Sequence, residues 1–252
     1  MFFPDEYRNF ALMEDINQLN IANLTALWSK VGQAAGLYTN ENGYELSLVK
    51  NAEWPNRIWT KQPLAQELLT ALTHQMASCE QTLVFPHWDI YPSKGLEIAS
   101  EGFTQKSFQT GMSLQLNKSF TSSKSLTFKR VLNTNQARLW AGVYPKCFGY
   151  VISEETLNRT MNEIEYHLFY FKDELVGTAI YYPSEQVAGV HGVGIVPEMR
   201  KRGFAEEIMC ILLNRAIAAG IPYATLQASE LGKGIYKRLG FTEDFIIRNY
   251  VR

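Results

Sequence analysis

The chain has 252 residues, 46% of them hydrophobic, which is enough for two domains of ordinary size with a core in each. Its formal net charge of -1 removes any global argument for nucleic acid as a partner. No run of about 20 apolar residues predicts a membrane span, and the N-terminus lacks the basic and apolar regions of a secretion signal. We therefore expect a cytoplasmic protein with neither a membrane nor a nucleic-acid partner.

The first 116 residues carry helical and extended patterns in alternation. The predicted elements are, in chain order, a helix over 16–35, strands near 45–49 and 57–60, a helix over 64–77, and strands over 82–85 and 107–116. Three large aromatic residues of this half are either core or the wall of an acceptor pocket: Trp54, Trp59 and Trp88.

A polar, serine-rich run over 117–125 has no period and predicts a linker, so we place a domain boundary there, between 1–120 and 121–252. The predicted elements beyond it are a strand over 126–131, a helix beginning at 134, a hairpin of strands over 166–171 and 175–182, a strand over 187–196, a helix over 205–219, a strand over 223–227, a helix over 231–239 capped by Ser229, and a last strand ending at 250.

Cysteines and histidines show no pattern typical of a disulfide framework or a metal site. The cysteines, Cys79, Cys147 and Cys210, are too few and too widely spaced for either. The four histidines have no ligand spacing with one another or with the cysteines. We expect a reducing compartment and no metal cofactor.

The segment 196–207 predicts an anion site, because it combines a strand end, a glycine-bearing loop and the first turn of a helix. Backbone N–H groups at a helix start have no intrahelical acceptor, and the helix dipole adds partial positive charge. Gly203 has no Cβ to hold a phosphate away, and Ala205 is small. Three basic side chains surround the loop: Arg200, Lys201 and Arg202. The segment therefore predicts a phosphorylated ligand.

Two motifs in order resemble the GNAT superfamily of acyl-CoA-dependent N-acyltransferases. The family's pyrophosphate motif, Q/R-x-x-G-x-G/A, is met by Arg200, Gly203 and Ala205. Segments 226–229 and 234–241 resemble the family's fifth strand, the helix that follows it and the glycine-aromatic entry to the next strand. The resemblance covers roughly residues 125 to 252, and the two motifs are separated by one helix and one strand.

This resemblance implies a mixed α/β (α+β) fold, in which a mostly antiparallel sheet is flanked by helices. It also implies acetyl-CoA as co-substrate, with its pantetheine arm paired to the fourth strand and its thioester in the splay between the fourth and fifth strands. The implied coenzyme-binding residues are Gly194, Ile195, Val196, Arg200, Lys201, Arg202, Gly203, Phe204, Ala205, Glu206 and Ser229.

The resemblance also implies catalytic roles. Tyr236 matches the family's acid for the departing thiolate, although a tyrosine there could also be a packing residue. Many members use a glutamate on the fourth strand as base, but this strand has no carboxylate. His191 on that strand, Glu230 just beyond the fifth strand, and a water relay remain as alternatives for the base. A backbone N–H near Ile195 would serve the oxyanion.

The first half resembles a degenerate copy of the second, which predicts two tandem GNAT-like domains. Segment 94–103 is similar to 233–241, with Ile98 where Tyr236 stands. The first half has no R-x-x-G-x-A segment, so it lacks the diphosphate site. Such a domain could complete the sheet of its neighbour or wall the acceptor pocket.

These features predict an acyl-CoA-dependent N-acyltransferase that transfers acetyl to a primary amine by direct attack. The acceptor would be a small amine, an amino acid or a peptide amino end. The alternative is a catalytically inactive module that binds acyl-CoA for regulation or interaction. Tyr236 favours the enzyme, whereas the missing strand carboxylate leaves the module open.

Overall fold

The computed structural model describes residues 5–91 and 98–252, with side chains from residue 16 onward. In chain order the helices and strands are α1 (Asp5–Ala35), β1 (Leu37–Glu41), β2 (Tyr44–Leu48), β3 (Arg57–Trp59), α2 (Gln66–Ser78), β4 (Phe85–Trp88), β5 (Thr104–Gln115), β6 (Thr127–Arg130), α3 (Thr134–Phe148), α4 (Glu154–Thr160), β7 (Glu165–Phe171), β8 (Glu174–Pro183), β9 (Val187–Ile195), α5 (Phe204–Ala218), β10 (Tyr223–Ala228), α6 (Glu230–Leu239) and β11 (Thr242–Val251).

The chain divides into two compact units, and each is assembled from three segments. Unit 1 consists of residues up to Ala26, Thr110–Arg130 and Ile164–Phe245, and unit 2 consists of Leu27–Gln109, Val131–Glu163 and Ile246–Arg252. The predicted division into 1–120 and 121–252 is contiguous, whereas these units interleave. The reason is that α1, β5 and β11 each run from one unit into the other.

Unit 1 holds a mostly antiparallel sheet with the strand order β5-β10-β9-β8-β7-β6. Among the described strands of this sheet, only β9 and β10 pair in parallel, since the chain crosses from one to the other through α5. Residues 110–115 of β5, from the first half of the sequence, pair with β10 along its whole length. The expectation that the first half could complete the sheet of the second is confirmed.

Helix α5 covers one face of this sheet and carries much of the core of unit 1. It packs against β8 and β9, and its buried face includes Ile208, Met209, Leu212, Leu213 and Ala216. Full burial of each of the isoleucine, methionine and leucine side chains contributes about 1.5–3 kcal/mol. The helix ends at Ala218, with Ala219 as its C-cap and Gly220 next at a φ of 74°, so the predicted limits of 205–219 are met to within a residue.

The polar segment 117–125 forms no helix or strand and is fixed along α5. Phe120 N–H donates to Asn214 Oδ1 at 2.8 Å, and Asn214 Nδ2 donates to Phe120 O at 2.8 Å. Further on, the Glu207 carboxylate accepts hydrogen bonds from the backbone N–H of Ser123 at 3.1 Å and of Lys124 at 2.9 Å. The predicted linker is thus an extended crossing that is held to the helix.

Unit 2 contains a three-stranded antiparallel sheet, β1-β2-β3, and the pairing of β4 with the end of β11. Helix α2 packs its apolar face into the core of this unit through Leu68, Leu69, Leu72 and Met76. The three tryptophans of uncertain role are buried, with 7%, 0% and 1% of their surface exposed for Trp54, Trp59 and Trp88. Their burial favours the core interpretation over a pocket wall.

Several predicted elements differ from those observed in the first half. The strand expected over 82–85 lies at Phe85–Trp88, because its position is set by pairing with Ile247–Tyr250 of β11 rather than by local pattern. Strand β1 and helix α4 were not predicted, since both are short and largely polar. Residues 94–97 of the proposed internal repeat lie outside the described residues, and Ile98–Glu101 forms a 3-10 helix.

Candidate active site

Strands β9 and β10 separate towards their carboxyl ends. They are paired from Tyr223↔Val187 to Thr225↔Gly189, and beyond that point β9 pairs with β8 while β10 pairs with β5. Open α/β sheets bind ligands where neighbouring strands part in this way. The splay expected between these two strands is confirmed.

A bulge interrupts β9 beside the splay. Thr178 pairs with Gly194 and Ile180 with His191, so Ala179 of β8 stands opposite two residues of β9, Gly192 and Val193. Gly192 has a φ of 55°, which is typical of a glycine in a bulge. A bulge takes a residue out of the hydrogen-bonded ladder and re-aims its backbone groups. This is a suitable place for a backbone N–H donor to an oxyanion, two or three residues before the Ile195 expected from sequence.

The end of β9 presents alternate backbone groups to the splay. Val196 N–H donates to Val176 O at 3.0 Å, which directs it towards β8. Because successive residues of a strand point their N–H groups to opposite sides, Ile195 N–H faces the side of β10. Of the residues expected to pair with pantetheine, Ile195 is therefore the one aimed into the opening. Its carbonyl oxygen accepts from Arg200 Nε at 3.2 Å.

The loop after β9 delivers backbone N–H groups at the start of α5. A short 3-10 turn, Pro197–Met199, leads to Lys201 with a φ of 58° and Gly203 with a φ of 76°. Gly203 is the N-cap of α5 and offers no capping side chain. The N–H groups of the first turn therefore lie where an anion can accept from them. Buried Phe204 anchors the turn, and Arg202 stacks on its ring at 5.1 Å.

Lys124 adds a cation at this loop that no sequence motif predicted. A Cβ placed on Gly203 would lie 3.2 Å from Lys124 Cε and 3.9 Å from Lys124 Nζ. Glu207, only 4% exposed in the first turn of α5, holds the backbone of Lys124 in this position. No local signal connects residue 124 with residue 203, because the contact depends on the path of the linker over α5.

The basic residues on the following helices are engaged by carboxylates. Arg215 Nη2 donates to Glu165 Oε1 at 2.8 Å, and Arg238 Nη2 lies 3.0 Å from Glu206 Oε2. Lys233 and Lys237 contact Glu243 at 3.2 and 2.7 Å. Because each of these four basic residues is paired with a carboxylate, they are better described as charges on the helix surface than as coenzyme ligands.

Tyr236 lies on α6 with its ring half-buried against Phe241. The two ring centroids are 5.9 Å apart at an interplanar angle of 66°. Burial raises the pKa of the Tyr236 phenol to about 12. The group is consequently protonated over the physiological range and able to donate a hydrogen bond.

His191 lies on β9 directly before the bulge, between two amide side chains. Its Nδ1 is 3.0 Å from Gln227 Oε1 and its Nε2 is 3.1 Å from Asn23 Oδ1. Burial lowers the pKa of His191 to about 4, although the hydrogen bond with Gln227 opposes this shift. The imidazole is therefore neutral at pH 7. The sequence pattern pointed to His191 but to neither amide partner.

The other sequence candidates near the splay have ordinary local partners. Glu230 is exposed in the first turn of α6 and pairs with Lys233 at 3.2 Å. Ser229 is the N-cap of α6, and its hydroxyl accepts from Gly232 N–H at 3.3 Å, so its predicted capping role is confirmed. A coenzyme role for Ser229 stays a prediction.

Two further expectations concern metals and membranes. Among residues 16–91 and 98–252, whose side chains are described, no group of three or more histidine, cysteine, aspartate and glutamate side chains could hold a metal ion. Of the helices in the described residues, none combines the length and the apolar character that a membrane crossing needs. The three cysteines carry free thiols.

Comparison with known protein families identifies a domain in the second half of the chain. Residues 130–243 match the family model for the acetyltransferase (GNAT) domain, so this part of the chain is a GNAT domain. No curated protein matches the chain.

Solved structures extend the likeness of fold to most of the chain. A GCN5-related N-acetyltransferase from Kribbella flavida is similar at a TM-score of 0.69 and 15% identity, covering 92% of this chain and 94% of that one. A GCN5-related N-acetyltransferase from Sphaerobacter thermophilus has a TM-score of 0.62 at 15% identity, over 84% and 77%. A tandem GNAT protein from the clavulanic acid biosynthesis pathway has a TM-score of 0.55 at 11% identity, over 83% and 78%. The family and fold support an acetyltransferase in general.

Proposed function

We propose that the protein is an acyl-CoA-dependent N-acyltransferase that transfers an acetyl group from acetyl-CoA to a primary amine. The observation that carries this proposal is the junction of the β9–β10 splay with the uncapped start of α5. A thioester carrier needs both, since its diphosphate requires backbone donors and its acyl arm requires an opening between strands.

The donor site is built from the end of β9 and the loop that follows it. The diphosphate accepts from the N–H groups between Arg202 and Glu206, with Lys124 supplying positive charge from the linker. The pantetheine arm pairs with the open edge at Ile195 in the manner of an added strand. The other predicted loop and strand residues, Gly194, Val196, Arg200, Lys201, Phe204 and Ala205, shape this site.

Three groups around the splay supply the oxyanion donor, the acid and the base for the acyl transfer. A neutral amine attacks the thioester carbonyl carbon, and the developing oxyanion accepts from a backbone N–H at the bulge of β9. Tyr236, whose phenol is protonated at neutral pH, donates to the departing sulfur. Before the attack, His191 takes the proton that the acceptor ammonium loses, since its imidazole is neutral at pH 7 and lies beside the bulge. Glu230 is the weaker candidate, since Lys233 already pairs with it.

The proposal is tested by incubating the full chain with acetyl-CoA and a panel of amines, with detection of free thiol. The panel should contain small amines, amino acids and peptides with free amino ends. Thiol release that requires an amine, together with the mass of the acetylated product, supports the proposal. Coenzyme A binding without thiol release across the panel contradicts it and favours the inactive acyl-CoA-binding module.

A further inference from the structure

A continuous chain of hydrogen-bonded side chains runs through unit 1 beside the bulge of β9. It consists of Asn20 and Asn23 from α1, His191 from β9 and Gln227 from β10. The two asparagines are 0% and 6% exposed, so their amides depend on these partners for hydrogen bonds. We call these four residues the amide-histidine chain.

Both ends of the amide-histidine chain are backbone carbonyl oxygens. Asn20 Nδ2 donates to Met112 O at 3.1 Å, and Asn23 Nδ2 donates to Tyr182 O at 2.8 Å. A carbonyl oxygen only accepts, so each asparagine must direct its nitrogen outwards and its oxygen inwards. Asn20 Oδ1 then accepts from Gln227 Nε2 at 2.7 Å, which turns Gln227 Oε1 towards the histidine.

His191 is consequently placed between two acceptor oxygens. Gln227 Oε1 lies 3.0 Å from one ring nitrogen and Asn23 Oδ1 lies 3.1 Å from the other. A neutral imidazole carries one N–H, so in that state one ring nitrogen directs a lone pair at an oxygen. The imidazolium carries two N–H groups and satisfies both oxygens. The amide-histidine chain therefore matches the protonated ring better than the neutral one.

Gly189 makes the contact between α1 and His191 possible. A Cβ at this position would lie 1.9 Å from Asn23 Oδ1 and 2.6 Å from His191 Nε2, distances that no real Cβ tolerates. The absence of a side chain at 189 thus leaves the space in which Asn23 reaches the ring.

We propose that Asn20, Asn23 and Gln227 are positioning residues that hold His191 to receive the proton of the acceptor amine. This inference rests on the proposed acyltransferase function and adds the means by which the base works. The three amides act through the ring of His191 rather than on the reacting atoms. They fix the ring and stabilise the charge that it gains.

In the acyl transfer, every proton and electron pair that moves has a donor and an acceptor. The acceptor ammonium gives one proton to His191, and the neutral amine forms a C–N bond to the thioester carbon. The C–S bond breaks with its electron pair moving to sulfur, which takes a proton from Tyr236. The new amide nitrogen loses its second proton, which restores the Tyr236 phenol. His191 then releases its proton to solvent.

The surroundings of His191 explain why its protonation is transient. Among the described residues, Asn23 of α1 and Gln227 of β10 contact the ring, Asn20 of α1 bonds Gln227, and Ile180 and Tyr182 lie on the same face of β8 by strand alternation. Of these, the phenol of Tyr182 is the one titratable group. Because burial lowers the pKa of His191 to about 4, the ring returns to neutral after each turnover.

Two substitutions of similar shape at Asn23 test the amide-histidine chain, because they should have different effects on the pKa of His191. Asn23→Asp places a carboxylate against Nε2 and is expected to raise the pKa of His191 by about one to three pH units. Asn23→Leu removes an acceptor of the imidazolium and is expected to leave the pKa at or below its wild-type value. Gln18→Glu makes the same amide-to-carboxylate change on the exposed side of α1 and serves as the matched control.

The first readout is an NMR titration of isotope-labelled histidine in the full chain without substrate. The His191 signal is assigned by its loss in His191→Gln, and thermal melts confirm folding of each variant. If neither Asn23 variant folds, Gln227→Glu and Gln227→Leu repeat the comparison from β10. Equal His191 titration in the aspartate and leucine variants would overturn the proposal.

The second readout is the pH dependence of kcat/KM for thiol release. In the wild type, protonation of His191 is expected to cause no loss of kcat/KM down to about pH 5. In Asn23→Asp, kcat/KM is expected to fall on the acid side at the raised pKa of His191. A purely structural role of Asn23 would lower kcat/KM equally at every pH, and that result overturns the proposal. Failure of the proposed acyltransferase function would give a different result. The wild type would then release no thiol with any amine, although the shift in the His191 titration would still be observed.

Discussion

Replacement of Gly203 tests the phosphate loop, on which the assignment of the donor depends. Gly203 has a φ of 76°, and a side chain there costs about 1–2 kcal/mol because of the left-handed backbone. The Cβ would also meet Lys124 Cε at 3.2 Å, a contact that a flexible lysine relieves by turning. Gly203→Ala should therefore lower the melting temperature by roughly 2–8 °C, at about 2–4 °C per kcal/mol.

Gly203→Glu adds a negative charge to the same backbone strain. A carboxylate about 4 Å from a phosphate oxygen repels it by about 4 kcal/mol at an effective dielectric constant near 20. Since about 1.4 kcal/mol is a factor of ten, coenzyme A should bind about a thousandfold more weakly than to wild type. The melting temperature should fall no further than in Gly203→Ala.

The assay is calorimetric titration of coenzyme A into each variant, with thermal melts in parallel. Gly220→Ala is the matched control, because Gly220 has a similar φ of 74° at the other end of α5 and open space around its Cα. It should lose similar stability and keep full affinity for coenzyme A. Affinity of Gly203→Glu within about threefold of Gly203→Ala would refute the phosphate-loop assignment.

Three further predictions follow from side chains described above. Tyr236→Phe keeps the ring contact with Phe241 and should lower kcat by about a hundredfold or more with unchanged coenzyme A affinity, and equal losses in both would contradict the acid role. Burial opposes ionisation of Glu165, but hydrogen bonds with His167 and Arg215 lower its pKa to about 2, so its stabilisation is present at neutral pH and lost as pH falls from about 5 to 2. Glu165→Gln should accordingly narrow the stability gap between pH 7 and 3 in urea melts, and an unchanged gap would argue against this ion pair. Leu212→Ala should cost about 2–5 kcal/mol in urea unfolding, since Leu212 is 0% exposed, and a loss below about 1 kcal/mol would contradict its place in the core.

The second half of the fold was predictable because its element boundaries carry local signals. Ser229 was predicted as a helix cap, Gly203 as the glycine of the loop before α5, and Gly240 as the entry to the last strand. In the structure each of the three lies at the end of a helix. Periodicity placed α5 and β10 correctly between them. In contrast, the position of β4 depends on its pairing with β11, which no local pattern encodes.

The candidate site was only partly predictable, because several of its contacts join residues far apart in sequence. His191 was found as the titratable side chain of the fourth strand, but Asn23 and Gln227 reach it from 168 and 36 positions away. The one available signal was the pair Asn20 and Asn23, three residues apart on the otherwise apolar face of α1. Lys124 gave no signal at all, since Glu207 positions it through its backbone.

The pairing of β5 with β10 affects how the chain can fold as it leaves the ribosome. Thr110–Gln115 emerges well before Tyr223–Ala228, and Asn20 lies 207 positions from Gln227. Until the later strand is synthesised, β5 presents unpaired backbone groups that can associate with other nascent chains. Such long-range closure slows folding, so we expect chaperone dependence during synthesis. A fragment starting at residue 121 would in turn expose β10 along the edge that β5 normally covers.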